Sequence, residues 1–135
     1  MIVVDSSFLI AFHNERDHQH ANARAAMADF LDGKWGTGLL LEYVFLEVVT
    51  VLLVRRDLAI AAQVGETLLN AAELEFVPCS EIFVATRRAF AAQRGTRLSF
   101  TDTAIATVAE ARADRRVLTF DEEFRKLAGI DVLPG

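Results

Sequence analysis

This 135-residue chain has a single cysteine, two prolines, one tryptophan and one tyrosine, and its 14 basic residues are outnumbered by 19 acidic ones. Each shortage excludes something. A lone Cys79 cannot close a disulfide within the chain, which suits a reducing compartment and leaves that residue as a small core filler. Two prolines make no Pro-rich linker, and no low-complexity segment or internal repeat interrupts an even composition, so the span 1–135 is expected to form one domain. A formal net charge of −5 argues against a general nucleic-acid coat, because nonspecific affinity comes from neutralising phosphates with Lys and Arg. A nucleic-acid enzyme stays open if its basic groups are local or a cation bridges to the phosphate. No basic residue precedes Asp5, and the longest apolar run, LLLEYVFLEVVTVLLV, is broken by two glutamates, so neither a secretory nor a membrane-spanning segment is expected. These absences read as a cytoplasmic protein with no membrane partner.

What is present is a core: 53% of the residues are hydrophobic, enough to fold without a disulfide or a structural metal. Short β-type runs alternate with longer helical ones, the pattern of an α/β fold with a mainly parallel sheet. Five strands are predicted, over Ile2–Val4, Trp35–Leu40, Leu74–Val77, Val117–Phe120 and Ile130–Leu133. Helices are predicted over Ser6–His13, His20–Leu31, Glu42–Arg55, Leu58–Ala72, Glu81–Gln93, Asp102–Ala113 and Glu122–Ala128, the last stopped by Gly129. The Glu42–Arg55 segment is apolar nearly all round, so it is either sandwiched in the core or offers a face to a partner, and Leu58–Ala72 is its hairpin neighbour.

Ligands of parallel α/β sheets bind beyond the carboxyl ends of the strands. Asp5 follows the first strand there and Asp121 follows the fourth. Either acid alone is equally well explained as a helix cap, and Asp102 in Ser99-Phe100-Thr101-Asp102 reads as part of a capping box with Ser99 or Thr101 as the cap. Glu47 is different. Its neighbours three, four and seven positions away are Val44, Tyr43, Leu40, Thr50, Val51 and Val54, and it lies too far into its helix to cap anything. An acid on a buried stripe must be neutralised by something positive, and no basic residue is expected on that face. Glu42, at the helix start, is accounted for by its first-turn position. Four carboxylates in one pocket repel one another and raise at least one pKa; a hard divalent ion, Mg²⁺ or Mn²⁺, removes that conflict and brings phosphodiester hydrolysis within reach.

Over nearly its whole length the chain resembles PIN-domain ribonucleases of the VapC toxin type. The stretches that carry the likeness are VVDSSFLIAF, ERDHQHANA, EYVFLEVVTVLLVRR, LSFTDTAIATVAE and VLTFDEEF, in that order. The resemblance implies a three-layer α/β/α domain with a central parallel sheet and an acidic Mg²⁺ or Mn²⁺ site that cleaves single-stranded RNA. It places the catalytic, metal-binding acids at Asp5, Glu47, Asp102 and Asp121, with Glu42 as the second choice for the helical acid, and supporting hydroxyls at Ser7 and Thr119. Many relatives carry a further acid just after the third, where this chain has Thr103 and Ala104, so a second metal is less supported than a first. The likeness also implies a small antitoxin protein as partner and a homodimer.

Other residues have simpler readings. His13, His18 and His20 match no zinc spacing and are expected at the solvent-facing start of the second helix, with Asp17 as its cap. Arg87, Arg88, Arg94 and Arg97 read as an exposed basic face, and Arg94 and Arg97, leading into LSFTD, are assigned to RNA phosphates. The rival functions are a non-catalytic PIN-like module that binds a cation and a protein partner, and a phosphatase. The phosphatase is disfavoured because Asp5 is followed by Ser6 and Ser7 without a DxD arrangement, and no Gly-rich phosphate loop occurs.

Overall fold

A computed structural model describes residues 1–135. Its elements run β1 (Ile2–Val4), α1 (Ser6–His13), α2 (His20–Leu31), β2 (Gly38–Leu41), α3 (Glu42–Arg55), α4 (Leu58–Asn70), β3 (Leu74–Val77), α5 (Phe83–Ala91), α6 (Phe100–Arg112), β4 (Arg116–Leu118) and β5 (Asp131–Leu133), with 3₁₀ turns at Ser80–Ile82 and Glu122–Lys126. The strands form one sheet in the order β3-β2-β1-β4-β5, every pair parallel, with Ile2 opposite Gly38 and Val3 opposite Val117. Parallel neighbours need crossovers, and crossovers are right-handed. The chain steps from β1 to β3 in one direction and then returns past β1 to β4, so α1 to α4 cover one face and α5 and α6 the other. The result is the three-layer α/β/α architecture that the resemblance implied, built on the parallel sheet that the pattern implied.

Covering both faces requires strands that are apolar throughout. Ile2, Val3 and Val4, and Leu39, Leu40 and Leu41, are accordingly buried, and they join Phe8, Leu52, Ile105, Leu118 and Phe124 in a continuous core. Gly38 lets that core close: a Cβ there would stand 2.8 Å from both Leu74 Cδ2 and Phe30 Cζ. Cys79 is buried and unpaired, as expected of a core filler. No helix is long and apolar enough to cross a membrane.

Several boundaries differ from the pattern for local reasons. The second strand begins at Gly38 rather than Trp35, because Gly36 turns the chain at φ +76° and leaves Trp35 buried in the turn. The helix expected over Glu81–Gln93 is a 3₁₀ turn followed by the shorter α5. The fourth strand stops at Leu118, because the amides of Phe120 and Asp121 go to side-chain hydroxyls. The final helix is a single 3₁₀ segment, Glu122–Lys126.

Candidate functional site

The strand order reverses beside β1, and the crevice where β1 and β4 part is where such sheets bind ligands. Asp5 leaves β1 at that point. Its Oδ1 accepts the Ser6 amide at 2.7 Å, capping α1, while Oδ2 accepts the hydroxyls of Thr119 at 2.6 Å and Ser7 at 2.9 Å. Those hydroxyls also accept: the Phe120 amide donates to Ser7 Oγ at 3.0 Å and the Asp121 amide to Thr119 Oγ1 at 2.9 Å. Cap and site are therefore one arrangement, and it locks the end of β4 to the start of α1. Asp5 is only 2% exposed. Burial outweighs the donors from Thr119, Ser7 and Ser6, the charge of Glu47 adds to it, and the Asp5 carboxyl lies above its ordinary range.

Asp121 caps the 3₁₀ turn, its Oδ1 accepting the Glu123 amide at 3.0 Å. Asp102 completes a capping box on α6: its amide donates to Ser99 Oγ at 3.0 Å and its Oδ2 accepts the Ser99 amide at 3.2 Å. Ser99, not Thr101, is the cap. Half-buried Asp102 is pushed up to about 6 by burial and then by the charge of Asp5, against the hydrogen bonds with Ser99, with Asp121 adding to the rise. The acids feel one another across the crevice.

Glu47 reaches the same cleft by a different route from the one its neighbours suggested. The side of α3 that enters the core is Val44, Val48 and Leu52; Glu47 and Thr50 are exposed, and Val54 is 78% exposed. Being surrounded by apolar residues in sequence is not burial, because α3 is wetted on more than one side. What turns Glu47 inward is the Ser6 hydroxyl, which donates to its Oε1 and lies 3.4 Å from Asp5 Oδ1, so that Ser6 stands between the two acids. Glu42 points away from this cleft: its Oε1 accepts the Cys79 amide at 3.0 Å and fixes the end of β3.

Asp5, Glu47, Asp102 and Asp121 thus line one cleft of about 450 Å³, although no three acids, histidines or cysteines draw close enough to form a ready-made metal cage. Sequence reasoning missed other residues of this cleft. Asp17, assigned to capping α2, accepts the Gln19 amide at 2.9 Å instead; α2 starts after Gln19, which makes no side-chain cap, and Asp17 faces the cleft beside His18. Arg55 lines it too, two helical turns beyond Glu47, contrary to the expectation of no basic residue on that side. The i+8 spacing was the available signal. Of the other histidines, His20 Nδ1 lies 2.8 Å from the Ala11 carbonyl and His13 stands half-buried, edge-on to Phe12. Arg94 and Arg97 are exposed and lie outside the cleft, the Arg97 amide donating to Glu123 Oε2 at 3.4 Å.

A parallel α/β/α sandwich with acids drawn from four chain segments to its switch point defines the class. The particular family follows from its sequence profile: residues 2–130 match the PIN domain, and the chain belongs to the PIN domain family. Among solved structures, it is similar to VapC20 of Mycobacterium tuberculosis, a sarcin-ricin loop cleaving toxin, with 18% identity, a TM-score of 0.85, and 96% of this chain and 97% of that one covered. It is also similar to VapBC2 of Rickettsia felis, bound to a DNA fragment from its promoter, with 17% identity, a TM-score of 0.64, and 98% and 97% coverage. No functionally curated protein matches it at a significant level.

Proposed function

We propose that this chain is a Mg²⁺- or Mn²⁺-dependent endoribonuclease that hydrolyses phosphodiester bonds in single-stranded RNA, and that it is the toxin of a toxin-antitoxin pair. One observation carries the reading: Asp5, Glu47, Asp102 and Asp121, with Asp17, line a cleft whose only basic residues are Arg55 and His18. Such a cleft repels phosphate unless a cation enters with it. The donors are all oxygen, and a hard ion that keeps most of its waters needs only one or two carboxylates, so the residues fit Mg²⁺ or Mn²⁺ without a closed cage. When bound, the ion would supply an activated water and offset charge on the attacked phosphate.

The protein's own residues have separable tasks. Thr119 and Ser7 fix Asp5 by donating to one of its oxygens, and Ser6 ties Glu47 to the same corner. Asp102, pushed up to about 6 by burial and the charge of Asp5, is an acid whose ionised form a cation in the cleft would favour. Arg55 offers the cleft a guanidinium for a phosphate oxygen, and Arg94 and Arg97 extend phosphate contacts beyond it. The similarity to VapC20 and to the VapBC2 complex supports the toxin assignment and a small antitoxin partner. The exposed Leu46, Leu53, Leu58 and Leu69 of α3 and α4 give a partner or a second copy, as a homodimer, an apolar face.

The test is cleavage of mixed RNA with Mg²⁺, Mn²⁺ or chelator, comparing wild type with Asp5→Asn. Metal-dependent cleavage lost in the variant is expected; equal activity overturns the assignment. The same apolar face favours a second reading, a non-catalytic module that binds a cation and a protein. A divalent ion that raises the melting temperature while RNA stays intact would select it.

A further inference from the structure

The surface next to the acidic cleft is chemically unlike the rest of the molecule. Between Glu81 and Asp102 there is no acidic residue and there are four arginines, Arg87, Arg88, Arg94 and Arg97, in a protein of net charge −5. All four are exposed. None belongs to an ion pair, as is also true of Arg16, Arg24, Arg55, Arg56 and Arg115; what sets the segment apart is four such arginines within eleven residues and no acid among them. Aromatic rings are set among them. Phe83, Arg87 and Phe90 share one face of α5 by their spacing of four and three. Phe83 and Phe90 remain 48% and 42% exposed. Their ring centroids lie 5.5 and 5.6 Å from that of Phe100, at tilts of 41° and 50°, and Tyr43 closes the group 6.0 Å from Phe100. Because the rings are tilted, no ring lies flat over another.

The position is as informative as the composition. Tyr43 sits one turn before Glu47 on α3, and Phe100 two residues before Asp102 on α6. Glu47, Ser99 and Asp102 line the cleft, so the aromatic group stands at its lip. Exposed π faces interleaved with unpaired guanidinium groups suit a chain that alternates flat bases with phosphates. A docking face for a protein would lack a reason to concentrate four arginines and two exposed aromatic rings in a segment without an acid of its own; the Glu123 carboxylate reaches it at the Arg97 amide.

We infer that Phe83, Phe90 and Phe100, with Arg87 and its neighbouring arginines, form a base-stacking platform that leads unpaired RNA into the acidic cleft. This rests on the ribonuclease reading and names the binding site that the reading leaves unspecified. The probe is a labelled single-stranded oligo(A) RNA of about ten nucleotides carrying one 2-aminopurine, titrated in EDTA at several salt concentrations so that no cleavage occurs.

Phe83→Leu with Phe90→Leu is expected to weaken binding by about tenfold or more and to abolish 2-aminopurine quenching, with the salt slope unchanged. Phe90→Trp, which keeps a π face, is expected to retain both affinity and quenching. Arg87→Gln with Arg94→Gln is expected to lower the salt slope. Wild-type affinity and quenching in the double leucine variant would overturn the platform. So would a variant that binds RNA normally but loses self-association in sedimentation, which would make the face a protein interface. The two readings fail separately. If Asp5→Asn cuts RNA as well as wild type while the leucine pair still loses oligo(A), the nuclease reading falls and the platform stands. If cleavage needs the acids but ignores the rings, only the platform falls.

Discussion

Asp5 and Glu47 line the same cleft and share a hydroxyl, yet they are held in opposite ways. Asp5 is buried at the end of a core strand, with both oxygens engaged by donors from two elements. Glu47 lies on the wet flank of a helix and is held by Ser6. The first carboxylate belongs to the fold as much as to the site; the second belongs to the site alone. Removing the charge at the two positions should therefore separate activity from stability.

The sharpest break is Asp5→Asn, expected to reduce metal-dependent RNA cleavage by at least about a hundredfold, as a lost ligand costs more than a lost supporting hydrogen bond. Thr119→Val comes next. It removes the shortest donor to Asp5 and leaves the Asp121 amide without its acceptor, so chemical denaturation should show a loss of about 1–3 kcal/mol together with a tenfold or larger fall in cleavage, roughly the cost of an outer-shell partner. Glu47→Gln should lower cleavage about tenfold while leaving stability within about 0.5 kcal/mol, as for an exposed substitution. Equal stability losses at Thr119 and Glu47 would erase the contrast.

The remaining contrast is with pH. The Asp102 carboxyl binds its proton more tightly in the folded protein, near 6, than its ordinary value of 3.8. The folded state therefore carries more bound protons between those values, and stability falls as pH rises from about 4 to about 6, then levels off. Asp5, raised in the same sense, adds to the slope. Melting temperatures in divalent-free buffer should follow this course, and Asp102→Asn should flatten it. Millimolar Mg²⁺ should restore the lost stability above pH 6 and do little at pH 4, where the proton competes with it.

Much of this was legible beforehand, for reasons that can be located. β1, β3 and the helices α1, α2 and α3 begin and end where composition placed them, because their signals are local: an apolar run that meets Asp5, a helix that ends at Arg55 before Asp57 caps the next. The misplaced boundaries are set from a distance. β4 ends early because Ser7, more than a hundred residues away, takes the Phe120 amide. Glu47 was chosen on an argument from burial that the exposed flank of α3 does not sustain, and its place in the cleft comes from Ser6, whose part in the site no local pattern announced. Asp17 and Arg55 were missed for the same reason: a cleft is assembled from loops and helix flanks whose meeting is a property of topology. The parallel sheet was readable from alternation, but its strand order was not.

The hydrogen bond from Thr119 to Asp5 joins residues 114 positions apart. Ser6 and Ser7 hold Asp5 from within its own segment, whereas the tie to Thr119 waits on the pairing of β1 with β4, whose partners Val3 and Val117 are equally far apart in the chain. A contact formed after the folding barrier changes the opening rate and not the refolding rate, so Thr119→Val is expected to hasten the protein's opening while leaving refolding, followed by stopped-flow, nearly untouched. On that expectation, the lifetime of the assembled cleft rests on a single distant hydroxyl group.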